Sequence, residues 1–443
     1  MIGKSSNQRQ RNLFAPLLTD FIDIKHELVL LAEKIDSKHL EKELSIYYSH
    51  TGQPSMPIRF FMVGCLMLKR IYNLGDETLA QAWIMNPYMQ YFCGQSNFQH
   101  HFPCDPSDFV HFRKRIGEAG IEKIFVHSVE LHGSKAKGKT LLSDTTVQEN
   151  IISFPTDSKQ AKSVIDKCNK IAETENVIQR QTYKRIAKQL LRDSYNSTHP
   201  KRRKKAKKVH SKLRTLAGRQ LCELERELSP ETLAKYKSEF EIYRKVITQQ
   251  KTDKNKIYSI HKPYTACIAK GKAHKQYEFG NKIGLMVNPK NLVILGIESF
   301  SGNPHDSHTI EPLLDQIKNN LNYQPKEIIY DRGGKGKAMI NEVKISTPRK
   351  PSKRDTVYQK RSKQKKFRGR AAIEPVIGHL KQHFRMGQNY LSGPQSAKNN
   401  SMLAATGWNL KKLMKKLAEN IFSLFQKLFF LEINLFFTKL KLG

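Results

Sequence analysis

Apolar positions recur at helical spacing through Ile24–Tyr48, and Pro57–Leu74 is apolar enough to predict a buried helix. Asp76 reads as an N-cap for Glu77–Ile84, Asn86-Pro87 breaks the chain, and Ser107 or Asp108 starts a helix through Arg115. Residues 1–135 are therefore expected to be all-helical, as a bundle or a helix-turn-helix array. After a Gly133–Gly138 linker the period changes, and Lys139–Asp144 reads as a strand. From about Ser158 to Lys256 helical stripes return at Val164, Ile165, Cys168 and Ile171, then at Leu221, Leu224 and Leu228, with Ser229-Pro230 restarting a helix. Strand signals resume over Tyr264–Ala269, Tyr277–Val287 and Leu292–Phe300, which predicts an antiparallel meander. Asp306 or Ser307 would cap a helix to about Leu321, a strand would end at Asp331, and Val343–Ser346 would add a fifth. Arg349–Arg370 is too polar to pack and is expected to be a loop. Phe367–Met386 is expected to be helical, starting just upstream of Pro375 or bending there. Ala404–Leu417 should close the fold with Trp408 in the core. Ile421–Leu440 is too often interrupted by Lys427, Glu432, Asn434 and Lys439 to span a membrane, and reads as an amphipathic tail.

Charge adds a partner to this picture. The chain has 443 residues with 77 basic against 40 acidic, a net charge of +37. A field of that sign favours a polyanion, most simply nucleic acid, with binding that weakens steeply as salt rises. The densest basic run, Lys201 to Lys208, includes Lys201, Arg202, Arg203, Lys204 and Lys205 and lies inside the helical stretch. Cations that close repel one another unless an anion screens them, so this run is expected to touch DNA backbone. Six scattered cysteines without CxxC pairs point to reduced thiols and a cytosolic chain, and Cys93, His100, His101 and Cys104 match no standard zinc spacing. Met1–Asn12 is polar and basic, unlike a signal peptide.

Candidate chemistry comes from three acids. On a helix, Arg370, Glu374, Lys381 and Arg385 share one arc while Ile373, Val376, Ile377, Leu380 and Phe384 share another, so a lone carboxylate stands among cations suited to phosphate. Asp144 ends the apolar run Leu141-Leu142-Ser143, and Asp331 ends Glu327–Tyr330 just before Arg332-Gly333-Gly334; acids at strand ends before a turn lie where open sheets bind ligands. Glu149 is near enough to Asp144 to compete with it. Phosphodiester chemistry without a protein nucleophile needs such acids to hold divalent metal ions.

Arg370, three residues, Glu374, six residues and Lys381 resemble the arginine–glutamate–lysine signature of DDE transposases of bacterial insertion sequences, the group containing the IS-four and IS-five families. The family's tyrosine three places before the arginine is Phe367 here. RAAIEPVIGHLK, NYLSGPQSAKNN and AATGWNLKKL resemble an IS-five-like subgroup, as do the segments around Asp144 and Asp331. The resemblance implies an α+β chain with a ribonuclease-H-like catalytic core, a mixed five-stranded sheet with helices at 136–157 and 257–418. It also implies an interrupting basic helical insertion at 158–256, a helical DNA-binding and dimerisation domain at 1–135, and a tail at 419–443. Asp144, Asp331 and Glu374 would be the catalytic, metal-holding acids for Mg²⁺ or Mn²⁺, two ions. Arg370 and Lys381, with Arg332 as a weaker candidate, would hold DNA phosphates, and Asp306, a spare acid read first as a helix cap, falls in a segment that lies near the site in the family. The implied activity is metal-dependent cleavage at the element's terminal inverted repeats and strand transfer into target DNA, by a dimer in the bacterial nucleoid. A nuclease of the same fold and a DNA-binding protein without catalysis are the alternatives.

Overall fold

The computed structural model describes residues 1–3, 16–195, 199–250, 252–269, 275–348, 352 and 354–441, with backbone alone at 62 and 420–441. The basic N-terminal residues 4–15 lie outside the described part. The first third is helical. Helix α1 (Glu27–Lys34) is capped by His26 and α2 (Ser37–Leu44) by Asp36, each side chain accepting a backbone N–H. The apolar stretch expected as one helix is a π-helical segment, Arg59–Leu66, running into α3 (Met67–Ile71). Helices α4 (Asp76–Met85) and α5 (Pro87–Phe92) follow, with Asn86 capping the latter and Pro87 at its first position, where no N–H is needed. Asp76 does not cap α4. It is the first helical residue, and its carboxylate instead takes Lys69 Nζ at 2.6 Å and Arg113 Nη2 at 3.0 Å, two cations buried nearby. Helix α6 (Asp108–Glu130) passes well beyond Arg115, breaking at Gly117 (φ 59°) before resuming.

Among the described residues the sheet is mixed and has eight strands rather than the expected five: β1 (Thr140–Asn150), β2 (Ala266–Ala269), β3 (Tyr277–Val287), β4 (Ile294–Phe300), β5 (Glu327–Ile329), β6 (Met339–Ile340), β7 (Val343–Ser346) and β8 (Gln388–Asn389), of which β6 and β8 are two residues long. Strand β3 pairs antiparallel with β1, β2 and β4, while β1–β5 and β5–β7 are parallel. The expected meander is present, and β1 outruns its expected end at Asp144 because Asp144 to Glu149 pair with Leu285 to Gly280 of β3. On its other edge β1 loses β5 after the pair Leu142–Ile329. Asp144 therefore sits mid-strand beside a notch that opens where β5 stops.

Between β1 and β2 run α7 (Asp157–Thr174), α8 (Lys184–Asp193), α9 (Pro200–Glu227) and α10 (Pro230–Thr248). Their apolar stripes enclose a core of their own, including Val164, Ile165, Leu213, Leu221, Leu224 and Tyr243. The N-terminal helices and the sheet instead share one core, continuous from Leu28 and Trp83 through Leu141, Ile283 and Ile328 to Met414.

Helix α11 (Ile310–Leu321) covers the sheet. The polar tract expected as a loop ends as α12 (Val357–Arg370), closed by a capping box in which Thr356 and Gln359 exchange side-chain and backbone bonds. That box explains a helix with no buried residue, since local bonds replace packing. Helix α13 (Ile373–His383) starts just upstream of Pro375, whose missing N–H falls in the first turn. Ile373, Val376 and Leu380 are fully buried and fix the helix to the sheet. Arg385 leaves the expected charged arc: it lies past the helix end with φ 58°, bonded through Nη1 to the Asn73 carbonyl and stacked over Tyr390. Helix α14 (Ser396–Lys441) spans both closing segments. Its Trp408 donates to the Leu292 carbonyl at 2.7 Å, and Asn409 clasps the edge of β4 through both N–H and C=O of Ile294. The amphipathic character expected for 419–443 falls on side chains outside the described ones.

Candidate active site

Two strands and one helix bring the acids together. Strands β1 and β5 are parallel with Leu142 opposite Ile329; Asp144 lies two residues further along β1 and Asp331 two residues past the end of β5, near enough for its charge to act on Asp144. Asp331 heads the turn Arg332–Gly334, its Oδ1 accepting the Gly334 N–H at 3.2 Å. Gly334 could carry no side chain, because a Cβ would lie 2.2 Å from the Tyr330 ring. Glu374, in the first turn of α13, reaches the group through Arg370, whose guanidinium bonds Asp144 Oδ2 at 3.3 Å and Glu374 Oε1 at 2.9 Å.

Arg370 lies between two acids, and the three are unequally exposed. Asp144 and Arg370 side chains are each 17% exposed, whereas Glu374 is 61% exposed, so the Glu374 half of the bridge is screened and weak. Burial pushes the Asp144 carboxyl up to about 6; the Thr145 amide and Arg370 pull it back, and the nearby Asp331 and Asp306 push it further up.

Asp306, a spare acid that the sequence explains better as a cap than as part of the site, does not cap. His305 rather than Asp306 caps the short turn Asp306–Thr309, accepting from the Ser307 N–H. The Asp306 carboxylate turns inward: Oδ1 accepts from Thr145 Oγ1 at 3.0 Å and Lys282 Nζ at 2.8 Å. A Cβ on Gly333 would stand 2.6 Å from Asp306 Oδ2 and 3.0 Å from Asp331 Oδ1, so the missing side chain leaves an open cradle between two acids. The signal in the sequence was the glycine pair after Asp331, which a turn alone would not require.

Carboxylate oxygens around such a cradle are the hard donors that Mg²⁺ and Mn²⁺ prefer. The residues fit a divalent ion by chemistry. Among the described residues, no three acids, histidines or cysteines converge closely enough to hold one as they stand, and the Arg370 guanidinium lies between Asp144 and Glu374.

The remaining expected residues divide by position. Arg332 is exposed directly beside Asp331, and Lys381 is half-buried two turns along α13 from Glu374. Glu149 is five residues from Asp144 on β1, hence on the opposite face, and pairs with Lys275. Lys201, Arg202, Arg203, Lys204 and Lys205 are exposed on the first turns of α9, with Lys205 pairing to Asp193 at 3.2 Å. They are not at the acids. Arg202, Arg203 and Lys207 join Lys159, Arg192 and His210 around a cavity of about 1010 Å³ in the helical insertion. Among the described residues no helix is long and apolar enough to cross a membrane.

Residues 16–115 match a family model described as "Transposase domain (DUF772)", and residues 241–410 match "Transposase DDE domain". The chain is also 35% identical over 184 residues, 40% of its own length, to the "Uncharacterized protein ORF8 in nfe locus" of Rhizobium meliloti, and covers 88% of that relative. No solved structure matches. Enzymes of this kind generally use divalent metal ions. The chain belongs to the DDE transposases of insertion sequences, metal-dependent enzymes of DNA cleavage and strand transfer.

Proposed function

We propose that this transposase, of the IS-five-like kind, binds the terminal inverted repeats of its element, cuts at their ends and joins the freed ends to target DNA. Asp144, Asp331 and Glu374 are its metal-holding acids, and Mg²⁺ or Mn²⁺, as two ions, is the cofactor. The observation that carries this reading is the guanidinium of Arg370 linking Asp144 on β1 to Glu374 on α13, with Asp331 just past the end of the neighbouring strand β5. The strand order β4-β3-β1-β5-β7, antiparallel then parallel, supports a ribonuclease-H-like core within 136–157 and 257–418.

The metal, when bound, supplies a Lewis acid that activates the attacking water or 3′ hydroxyl and stabilises the leaving oxygen. The chain supplies position. Asp144 is fixed by strand register, Asp331 by the turn it heads and Glu374 by the buried face of α13. Arg370 and Lys381, with Arg332 at the rim, are suited to hold the phosphates flanking the cut. Lys201, Arg202, Arg203, Lys204 and Lys205 sit on a helix remote from the acids and would grip backbone further along the duplex, which positions DNA without reading its sequence. The helices of 1–135 would take the element's ends and help pair two protomers on them.

Labelled element ends incubated with Mn²⁺ test this reading. Wild-type protein should release a product cut at the repeat end, and precut ends should join to target DNA. Cutting without joining would identify a nuclease of the same fold, and retention of DNA with neither product would identify a binding protein.

A further inference from the structure

The three acids leave Asp306 unexplained. A carboxylate whose only task was to neutralise Lys282 would gain most by offering both oxygens to its partners. Here Oδ1 takes both donors, Thr145 Oγ1 and Lys282 Nζ, and no described donor reaches Oδ2. Lys282 is itself well anchored: its side chain is 10% exposed and its Nζ also donates to the Pro304 carbonyl at 2.7 Å. Oδ1 is thus held by two donors, and Oδ2 lies beside Gly333, where Asp331 Oδ1 is also close. Bringing a further anion to Asp331 and Asp144 raises the electrostatic cost of the cluster unless a cation is shared among them.

We propose that Asp306 is a fourth carboxylate of the metal-holding set, its Oδ2 and Asp331 Oδ1 serving the same hard divalent cation across the Gly333 cradle. The inference rests on the three-acid reading above and adds a ligand to it. Lys282 and Thr145 act as positioning residues, holding one oxygen so that the other keeps its direction. Lys282 also offsets the added negative charge, which keeps the set from repelling itself before the ion arrives.

The test is Mn²⁺ binding to the full-length protein without DNA, followed by the electron paramagnetic resonance signal of the free ion. Asp306→Asn should weaken binding roughly tenfold, in the range found when a metal's supporting groups are removed, with Asp331→Asn measured beside it. If Asp331→Asn loses binding while Asp306→Asn keeps wild-type affinity, Asp306 is no ligand and the three-acid reading survives. If both keep wild-type affinity, the three-acid reading fails and the inference falls with it. A bracing role for Asp306 is separated by Asp306→Cys and Asp306→Ser, which disturb Lys282 and Thr145 alike. A ligating cysteine should bind Cd²⁺ roughly tenfold more tightly than serine at the same position, because thiolate prefers a soft ion. Equal Cd²⁺ affinity of the two variants overturns the proposal.

Discussion

Helices α12 and α13 follow one another with only Ala371 and Ala372 between them, yet they are held in opposite ways. Helix α12 carries seven cations and no acid, buries nothing fully, and touches the body through half-buried Phe367, the pairing of Lys366 with Glu327 on β5 and the Arg370 bridge to Asp144 and Glu374. Helix α13 is pinned by Ile373, Val376 and Leu380, all with no exposed surface. Glu374 therefore rides on a packed element and Arg370 on the last turn of one that is held by its cap. The acid is placed by the core, while the cation that bridges it sits on a helix with little packing behind it.

The sharpest way to break this contrast is through the acids. Glu374→Gln and Asp144→Asn should each lower Mn²⁺-dependent cleavage of labelled ends by roughly 10³-fold, with gel retention of DNA near wild type. A Glu374→Gln variant that cuts normally would remove α13 from the reaction. Next in size is packing: Leu380→Ala should cost about 2–5 kcal/mol in denaturant unfolding, whereas Lys363→Ala on α12 should change stability by no more than about 0.5 kcal/mol. Equal effects would mean that α12 is packed after all.

A pH effect of similar size is expected from Asp144. Its carboxyl titrates at about 6 in the fold against an ordinary 3.8. Between those values the folded protein keeps a proton that the unfolded chain has lost. Stability of the metal-free protein should therefore fall as pH rises through that window and level off above it, by at most about 3 kcal/mol. Asp144→Asn should flatten the fall in thermal unfolding curves taken across the window. Smallest is Arg370→Ala. A partly screened ion pair is worth up to ~1 kcal/mol, so removing it should tighten Mn²⁺ binding by a few-fold in the absence of DNA. Unchanged or weaker binding would show that the guanidinium does not hold the ion's place.

Much of this was legible in the sequence, because strands and packed helices write their period into it. The apolar runs that end at Asp144 and Asp331, and the charged arc opposite Ile373, Val376 and Leu380, make the three candidate acids readable from the sequence. Asp306 does not cap as the sequence suggests, since an acid before an apolar run looks the same whether it caps a helix or turns towards a sheet. Only the approach of Thr145 and Lys282, distant along the chain, decides between the two. Helix α12 was missed for a different reason: its polarity was weighed and its capping pair, Thr356 and Gln359, was not. Arg385 left the predicted arc because the helix stops at His383, where Asn73 and Asn400 bond the residue in a left-handed conformation.

The interior common to the first helices and the sheet has a consequence for how such a chain can change. A graft at residue 135 that exchanged the front helices for foreign ones would strip hydrophobic cover from α14 and the edge at β4 and should give insoluble protein. The stretch between β1 and β2, sealed around Leu213 and Leu224, has a core of its own, and a chimera that trades it at its two stems should stay soluble. The front helices and the sheet would then be inherited together, while the basic arm could vary from one element to the next.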